Sequence, residues 1–398
     1  MEKIFDDAIR KLDWYEEILE NGNRKGGREI LVTIITPSYN QGKFLEKAIE
    51  SVLSQRGNFS LEYIIVDGGS TDESLSIIQK FAQSIQKGSF SAKCKQLHFS
   101  WISEPDKGQA DALNKGLRMA KGEAIGWINS DDYYNEGTLQ KIVTAFNKYP
   151  EAGVIYGDCN MVDLEGKVIE TRKSIPNVTL KHFQRRVPIF QPAVFFRKSL
   201  LSKIGFIDEN LQYTMDYEYW VRALKNGIKF QYIPTVLANF RVYEGSKSSG
   251  VHHQIFVESL LIQAKYFGLN RSFLENLACY TIGYAQKRRL TVEESFITIK
   301  GSFLKEIEMY KDRGLSQFLD KALHWAYLKE GVEEVFKCKE KALKKARSVF
   351  LSSPSLFFTK DALVFWIRVF SFHPKFYFLL KNLILKNKFN IHSDGYTV

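Results

Sequence analysis

The chain has 398 residues, 44% of them hydrophobic and 25% charged, with a net charge of +11 at neutral pH. That length is too great for one small domain and suggests two. Nine Pro and 26 Gly exclude a collagen-like or low-complexity architecture, and 30 Phe with 19 Tyr exclude global disorder.

Residues 4–20, with Ile4, Phe5, Ile9, Leu12, Trp14, Ile18 and Leu19 among charges, have the spacing of a short amphipathic helix. The first residues, Met1 to Asp7, are too acidic and too poorly apolar for a signal peptide. The continuous apolar run Ile30–Ile35 suits a strand buried on both faces. After the loop Pro37-Ser38-Tyr39-Asn40, residues 43–54 return to helical spacing. Leu61–Val66 is a second strand, closed by Asp67-Gly68-Gly69-Ser70-Thr71-Asp72, and a helix follows over about 73–86. Leu97–Ser103 reads as a third strand, Ala110–Ala120 as a helix, and Ala124–Ile128 as a fourth strand ending at Asn129-Ser130-Asp131-Asp132. This alternation predicts an α/β domain with a mostly parallel central sheet. Beyond it lie short strands (Val154–Tyr156, Val194–Phe196) and a helix over 217–226. From about residue 252 the pattern is helical: 254–267, 271–287, 293–310, 315–329, 332–350 and 360–372.

In open α/β sheets ligands bind beyond the carboxyl ends of the strands. Here each of those ends carries a polar cluster: Thr36–Asn40, Asp67–Asp72, Glu104–Asp111 and Asn129–Asp132. Adjacent carboxylates at a strand end can hold a hard divalent cation, which in turn binds phosphate oxygens. Taken alone, Asp131-Asp132 reads equally as a turn or a helix N-cap.

Taken in order, Val32–Asn40, Ile65–Asp72 and Ala124–Asp132 resemble the nucleotide-sugar-binding half of family 2 glycosyltransferases, which have the GT-A fold. The resemblance continues through Gln191–Arg197, Met215–Arg222 and Phe240–Ser248, and covers about residues 30–250. It implies an inverting transferase that moves a sugar from a nucleotide-diphospho sugar to an acceptor hydroxyl, in polysaccharide or glycan assembly. It also implies roles. Pro37, Tyr39, Asp67, Lys107, Asp111 and Arg241 would bind the donor nucleotide, and Asp131 with Asp132 would hold Mn or Mg. Asp216 would be the general base, with Glu218 as fallback, while Gln191 and Trp220 would lie on the acceptor side. Two positions depart from the family pattern: Asn129 replaces the first acid of the DxD motif, and Tyr243 stands where a His is common.

The domains expected are an N-terminal helical extension (1–29), a GT-A domain (30–250) and a basic, aromatic-rich helical domain (251–398). The last holds 23 Lys+Arg against 14 Asp+Glu. Its aromatic stretches 363–372 and 376–380, flanked by lysines, read either as bundle core or as an interfacial helix on anionic lipid. Such peripheral contact would suit a glycan or lipid-linked acceptor at the inner membrane face. No apolar stretch of 18 residues predicts a membrane-spanning helix. Four cysteines (Cys94, Cys159, Cys279, Cys338) without paired spacing fit a reducing compartment, so a cytoplasmic setting is expected. No nucleic-acid-binding motif accompanies the charge. Two alternatives stay open: a nucleotidyltransferase, disfavoured by the lack of a Gly-rich triphosphate loop, and a degenerate transferase domain serving as a scaffold through its basic tail.

Overall fold

The computed structural model describes residues 30–184, 187–247 and 253–306, together with Leu319. The chain divides into two compact units, Met1–Gly250 and Val251–Val398.

In the first unit the apolar runs become strands. β1 (Leu31–Ser38) and β2 (Ser60–Asp67) are buried along their whole length. They pair in parallel, from Leu31 opposite Ser60 to Ser38 opposite Asp67. β3 (Gln96–Ser103) continues the parallel set beyond β2, and β4 (Ala124–Trp127) flanks β1 on its other side. The connecting helices are α1 (Gly42–Leu53), α2 (Ser74–Gln86) and α3 (Gln109–Met119). The apolar stripe of α1, including Leu45, Ile49 and Val52, joins the core formed with Ile34, Tyr63 and Ile65.

Beyond β4 the sheet is mixed. β5 (Tyr133–Tyr134) and α4 (Thr138–Lys148) lead to the hairpin of β6 (Val154–Val162) and β7 (Val168–Arg172). There follow α5 (Leu180–Phe183), a 3-10 turn (Gln191–Ala193), β8 (Val194–Arg197), α6 (Ser199–Ile204), α7 (Met215–Lys225) and β9 (Phe230–Arg241). Among the described residues the strand order is β3-β2-β1-β4-β8-β6-β9-β5, with β7 on β6. β8 runs antiparallel to both β4 and β6, whereas β6 and β9 are parallel. The parallel arrangement expected from the sequence therefore holds for β3-β2-β1-β4 and gives way to mixed pairing after it. The overall class is an α/β, GT-A-like fold followed by a helical extension.

The second unit contains α8 (His253–Phe267), α9 (Arg271–Arg288) and α10 (Val292–Glu306). Val257, Leu260, Phe273, Leu277, Phe296 and Phe303 form its core. The N-terminal helix expected over 4–20, the later tail helices and the aromatic stretches 363–380 lie outside the described residues. Among the described residues no helix is long and apolar enough to cross a membrane.

Candidate active site

β1 sends its crossovers to β2 on one side and lies against β4 on the other, so the strand order reverses there. A crevice opens at the carboxyl ends of strands at such a point. The cavity found there has a volume of about 740 Å³, within the range of small-molecule sites. Its wall is assembled from the end of β1 with the residue after it (Pro37, Ser38, Tyr39) and from the loops after β2 (Gly68, Gly69), β3 (Pro105, Asp106, Gly108) and β4 (Asn129–Asp132). The end of β9 and the segment after it close the ring with Arg241, Tyr243 and Lys247.

Asp67 holds two of these loops together. Its buried carboxylate accepts hydrogen bonds from the backbone N–H of Gly69 (3.2 Å) and Ser70 (2.9 Å), and from the hydroxyls of Ser70 (2.5 Å) and Ser103 (2.7 Å). Gly69 sits at φ +82°, a conformation glycine adopts without steric cost. A Cβ on Gly68 would lie 2.5 Å from Oδ2 of Asp106, so the bare backbone there lets Asp106 close the wall. Burial raises the Asp106 pKa above the ordinary carboxylate range.

The loop after β4 is fixed by amides. Asn129 Oδ1 accepts a hydrogen bond from Gln109 Nε2 at 2.7 Å, while Asn129 Nδ2 donates to Gln191 Oε1 at 3.2 Å and to Asp132 Oδ2 at 3.4 Å. Asp132 is buried, and its Oδ1 accepts from the backbone N–H of Arg241 at 2.9 Å. Asp131 is the less enclosed of the two acids, and its Oδ2 accepts from the Tyr243 hydroxyl at 3.2 Å. Burial holds both carboxyls above their usual pKa, and the charge of Asp131 raises Asp132 further. The Tyr243 ring packs on Phe44 at 5.0 Å, and its hydroxyl also reaches Gln41 Oε1 at 3.5 Å. Burial, and then the neighbouring Asp131, push the Tyr243 phenol up to about 12, so it is a neutral donor at physiological pH.

Of the residues singled out in the sequence, Pro37, Tyr39, Asp131, Asp132 and Arg241 line the cavity. The Arg241 guanidinium, however, is directed at backbone: Nε donates to Asp131 O at 3.0 Å, and Nη1 donates to Asp163 O at 3.0 Å and Leu164 O at 2.5 Å. It braces the acidic loop, which accounts for its burial more directly than donor binding does. Asp67, as described, is saturated by its own loops. Lys107 is exposed, and its backbone N–H donates to Asp111 Oδ2 at 3.1 Å. Asp111 also pairs with Lys115 at 3.8 Å, so this carboxylate serves the start of α3.

The acceptor-side residues fall in the core. The Gln191 side chain donates to Trp127 O at 2.8 Å, and Trp220 is fully buried, stacked on Trp127 at 5.5 Å and 12°. Trp220 is turned into packing because α7 is enclosed on several sides, and Gln191, in the 3-10 turn before β8, is taken up by its bonds to Trp127 and Asn129. Glu218 is equally buried and pairs with Arg222 at 2.9 Å, which removes it from reach as a base. Asp216 stands on the first turn of α7, half-buried, with Oδ1 accepting from the N–H of Tyr217 at 2.8 Å. Gln212, in the loop just before α7, lines the cavity.

Several wall residues were not singled out from the sequence. Ser38, Gln41, Asp106, Gln109 and Gln212 all line the cavity. The buried hydroxyl of Ser38 finds no hydrogen-bond partner among the described residues, the kind of orphan a polar ligand satisfies. Lys247 Nζ donates to Gln109 Oε1 at 3.2 Å and to Gln212 O at 3.1 Å, tying the closing segment to both loops.

Residues 33–203 match the model of glycosyl transferase family 2. Within the first unit, residues 33–203 thus carry a family 2 glycosyltransferase domain. The domain therefore transfers a sugar from a nucleotide-sugar donor, and the nucleotidyltransferase and scaffold alternatives give way to it. An uncharacterized glycosyltransferase of Rickettsia typhi is 26% identical over 322 residues, covering 74% of this chain and 96% of that protein. The chondroitin synthase of Escherichia coli is 26% identical over 234 residues, 59% of this chain but 32% of the synthase. Among solved structures, S. aureus TarS 1-349 in complex with UDP-GlcNAc has a TM-score of 0.51 at 18% identity, covering 81% of this chain and 91% of that one. At that identity the likeness speaks for the fold alone.

Proposed function

We propose that the chain is an inverting, metal-assisted glycosyltransferase that uses a nucleoside-diphosphate sugar to extend a glycan or a lipid-linked acceptor. The observation that carries this reading is the cavity at the sheet's switch point, whose wall holds Asp131, an orphaned Ser38 hydroxyl and Gly68-Gly69. Tyr39, 60% exposed at the rim, offers a ring face to a base.

The donor set fits a divalent cation in part. Asp131, partly exposed, and the buried Asp132 both line the cavity, and two adjacent acids of raised pKa form a site that a cation would relieve. Among the described residues there is no group of three or more His, Cys, Asp or Glu able to hold a metal. Asp131 would therefore share the ion with diphosphate oxygens. When bound, Mn or Mg would neutralise the departing diphosphate. Asp216 would take the proton of the acceptor hydroxyl as its oxygen attacks the anomeric carbon, from the face opposite the bond to phosphate that breaks. Lys247 would meet the diphosphate from the closing segment.

UDP-GlcNAc, named with the TarS structure, is the first donor to try. Calorimetry and thermal shift with UDP, GDP, ADP and dTDP and their sugars, with and without Mn2+, test the donor class, because a ligand specific to the folded state raises its stability. NMR of the product's anomeric proton reads inversion. Folded protein with no stabilisation by any nucleotide would overturn the reading.

A further inference from the structure

We infer that Asn114, in the middle of α3, is a positioning residue for the donor cavity: it fixes the strap 205–214, which carries Gln212 into the wall and gives Lys247 an anchor. This rests on the proposed function and goes beyond it, because Asn114 is itself buried and lies outside the cavity wall. The strap joins α6 to α7 and has no strand or helix of its own. Its buried backbone groups must therefore find partners elsewhere. At Ile207, which is buried, one side chain supplies both. The Ile207 N–H donates to Asn114 Oδ1 at 3.0 Å, and Asn114 Nδ2 donates to Ile207 O at 2.9 Å. The same Nδ2 donates to Glu209 Oε1 at 2.8 Å. A carboxamide offers a donor and an acceptor side by side, so Asn114 stands in for the neighbouring strand that the strap lacks.

The consequence is felt at the other end of the strap. The Leu211 N–H donates to Asp208 O at 3.3 Å, turning the chain, and Gln212 follows. A Cβ on Gly108, just before α3, would lie 2.7 Å from Gln212 Oε1, so the bare backbone at φ +123° is what admits that side chain. Gly108 and Asn114 are six residues and so about 9 Å apart along α3, and the strap is set on both. Lys247 Nζ then donates to Gln212 O at 3.1 Å and to Gln109 Oε1 at 3.2 Å. The lysine assigned to the diphosphate is thus held between the start of α3 and a strap whose place depends on Asn114. Asn114 acts through Gln212 and Lys247, not on the donor directly.

Two readouts on the full chain separate positioning from support of the fold. In Asn114→Ala without ligand, amide hydrogen exchange should quicken across 205–214 while β1 and β2 keep their protection. Calorimetry with UDP or GDP, whichever binds wild type, should show the affinity of the folded variant lowered about tenfold, the worth of one charge-assisted hydrogen bond. In a Lys247→Ala background the same substitution should cost less than about twofold, because the contact it acts through is already gone. Asn114→Asp keeps the volume and the acceptor for the Ile207 N–H but loses the donor. It should shift both readouts in the same direction, and it carries the test if the alanine variant folds poorly. Unchanged exchange across 205–214 overturns the hold of Asn114 on the strap. Unchanged nucleotide affinity, or an equal loss with and without Lys247, overturns the positioning role while leaving the transferase reading intact. Absence of nucleotide binding by wild type would overturn that reading itself.

Discussion

The two carboxylates at the start of α7 are separated by two positions and by opposite physical situations, and the substitution Glu218→Gln tells them apart. Glu218 is 1% exposed and its side chain is bound by Arg222 through Nε at 3.1 and 3.2 Å and through Nη2 at 2.9 Å. Arg222 in turn donates to the carbonyls of Ile204 and Phe206, fixing the end of α6 and the turn after it. Glutamine retains the shape but loses the charge and turns an amide N–H toward the guanidinium. Breaking one side of a buried pair costs about 3–5 kcal/mol. For a unit of this size that corresponds to a fall in Tm of roughly 6–20 °C. The measurement is urea unfolding at constant m, beside kcat of the folded fraction. Asp216→Asn is the contrast: the amide oxygen still accepts the Tyr217 N–H, so stability should shift by less than about 1 kcal/mol. Its kcat should fall by about 10²–10⁴, the contribution of a general base, with nucleotide affinity kept. A Glu218→Gln protein as stable as wild type but inactive would refute the assignment and make Glu218 the base.

Trp220→Ala removes a fully buried indole stacked on Trp127 and should cost about 3–5 kcal/mol; an inactive variant of wild-type stability would return Trp220 to the acceptor side. Gly68→Ala places a methyl 2.5 Å from Asp106 Oδ2, displacing the carboxylate from the wall. Calorimetry should show weaker nucleotide binding with little change in unfolding midpoint. Burial raises the Asp131 pKa, so protons should compete with Mn2+ at a pH where ordinary carboxylates remain ionised. Mn2+-supported nucleotide binding should weaken as pH falls through that raised pKa, and Asp131→Asn should flatten the profile. A profile unaltered by that substitution would place the competing proton elsewhere.

The parallel half of the fold was legible because its strands are buried on both faces. Such strands are predominantly apolar, and Leu31–Ile35 and Leu61–Val66 are so, broken only by Thr33 and Glu62, which hydrogen-bond to each other at 2.5 Å. The mixed half was not, because three-residue runs such as Val154–Tyr156 carry no sign of direction. Their antiparallel pairing with β8 is set by tertiary packing. In the site, acids at strand ends were visible, while the glutamines of the wall were not: Gln109, which bonds Asn129 and Lys247, and Gln212 look like any surface glutamine until the loops meet. The acceptor-side residues misled for a related reason. In Met215–Arg222 the helix buries Tyr217, Glu218, Tyr219, Trp220 and Val221 in succession, so periodicity could not say which face meets the cavity. Tyr243 did leave a signal, as a departure from the resembled pattern, but its hydrogen bond to Asp131 needed β9 and the β4 loop in place.

That departure and the one at residue 129 have a common physical origin. Asn129 Nδ2 points at two acceptors, Gln191 Oε1 and Asp132 Oδ2. An aspartate there would set oxygen against oxygen at both contacts and put a third carboxylate beside two already held above their usual pKa. Asn129 is therefore what allows Asp132 to be buried, and buried Asp132 is what anchors the Arg241 N–H and hence the end of β9. With Arg241 so fixed, the residue two further on is delivered to Asp131. A hydroxyl at that point donates to the partly buried Asp131 carboxylate. A neutral imidazole that kept its lone pair for a metal would leave Asp131 unsatisfied until the metal came. The amide at 129 and the phenol at 243 are thus two parts of one arrangement, the amide bonding Asp132 and the phenol bonding Asp131.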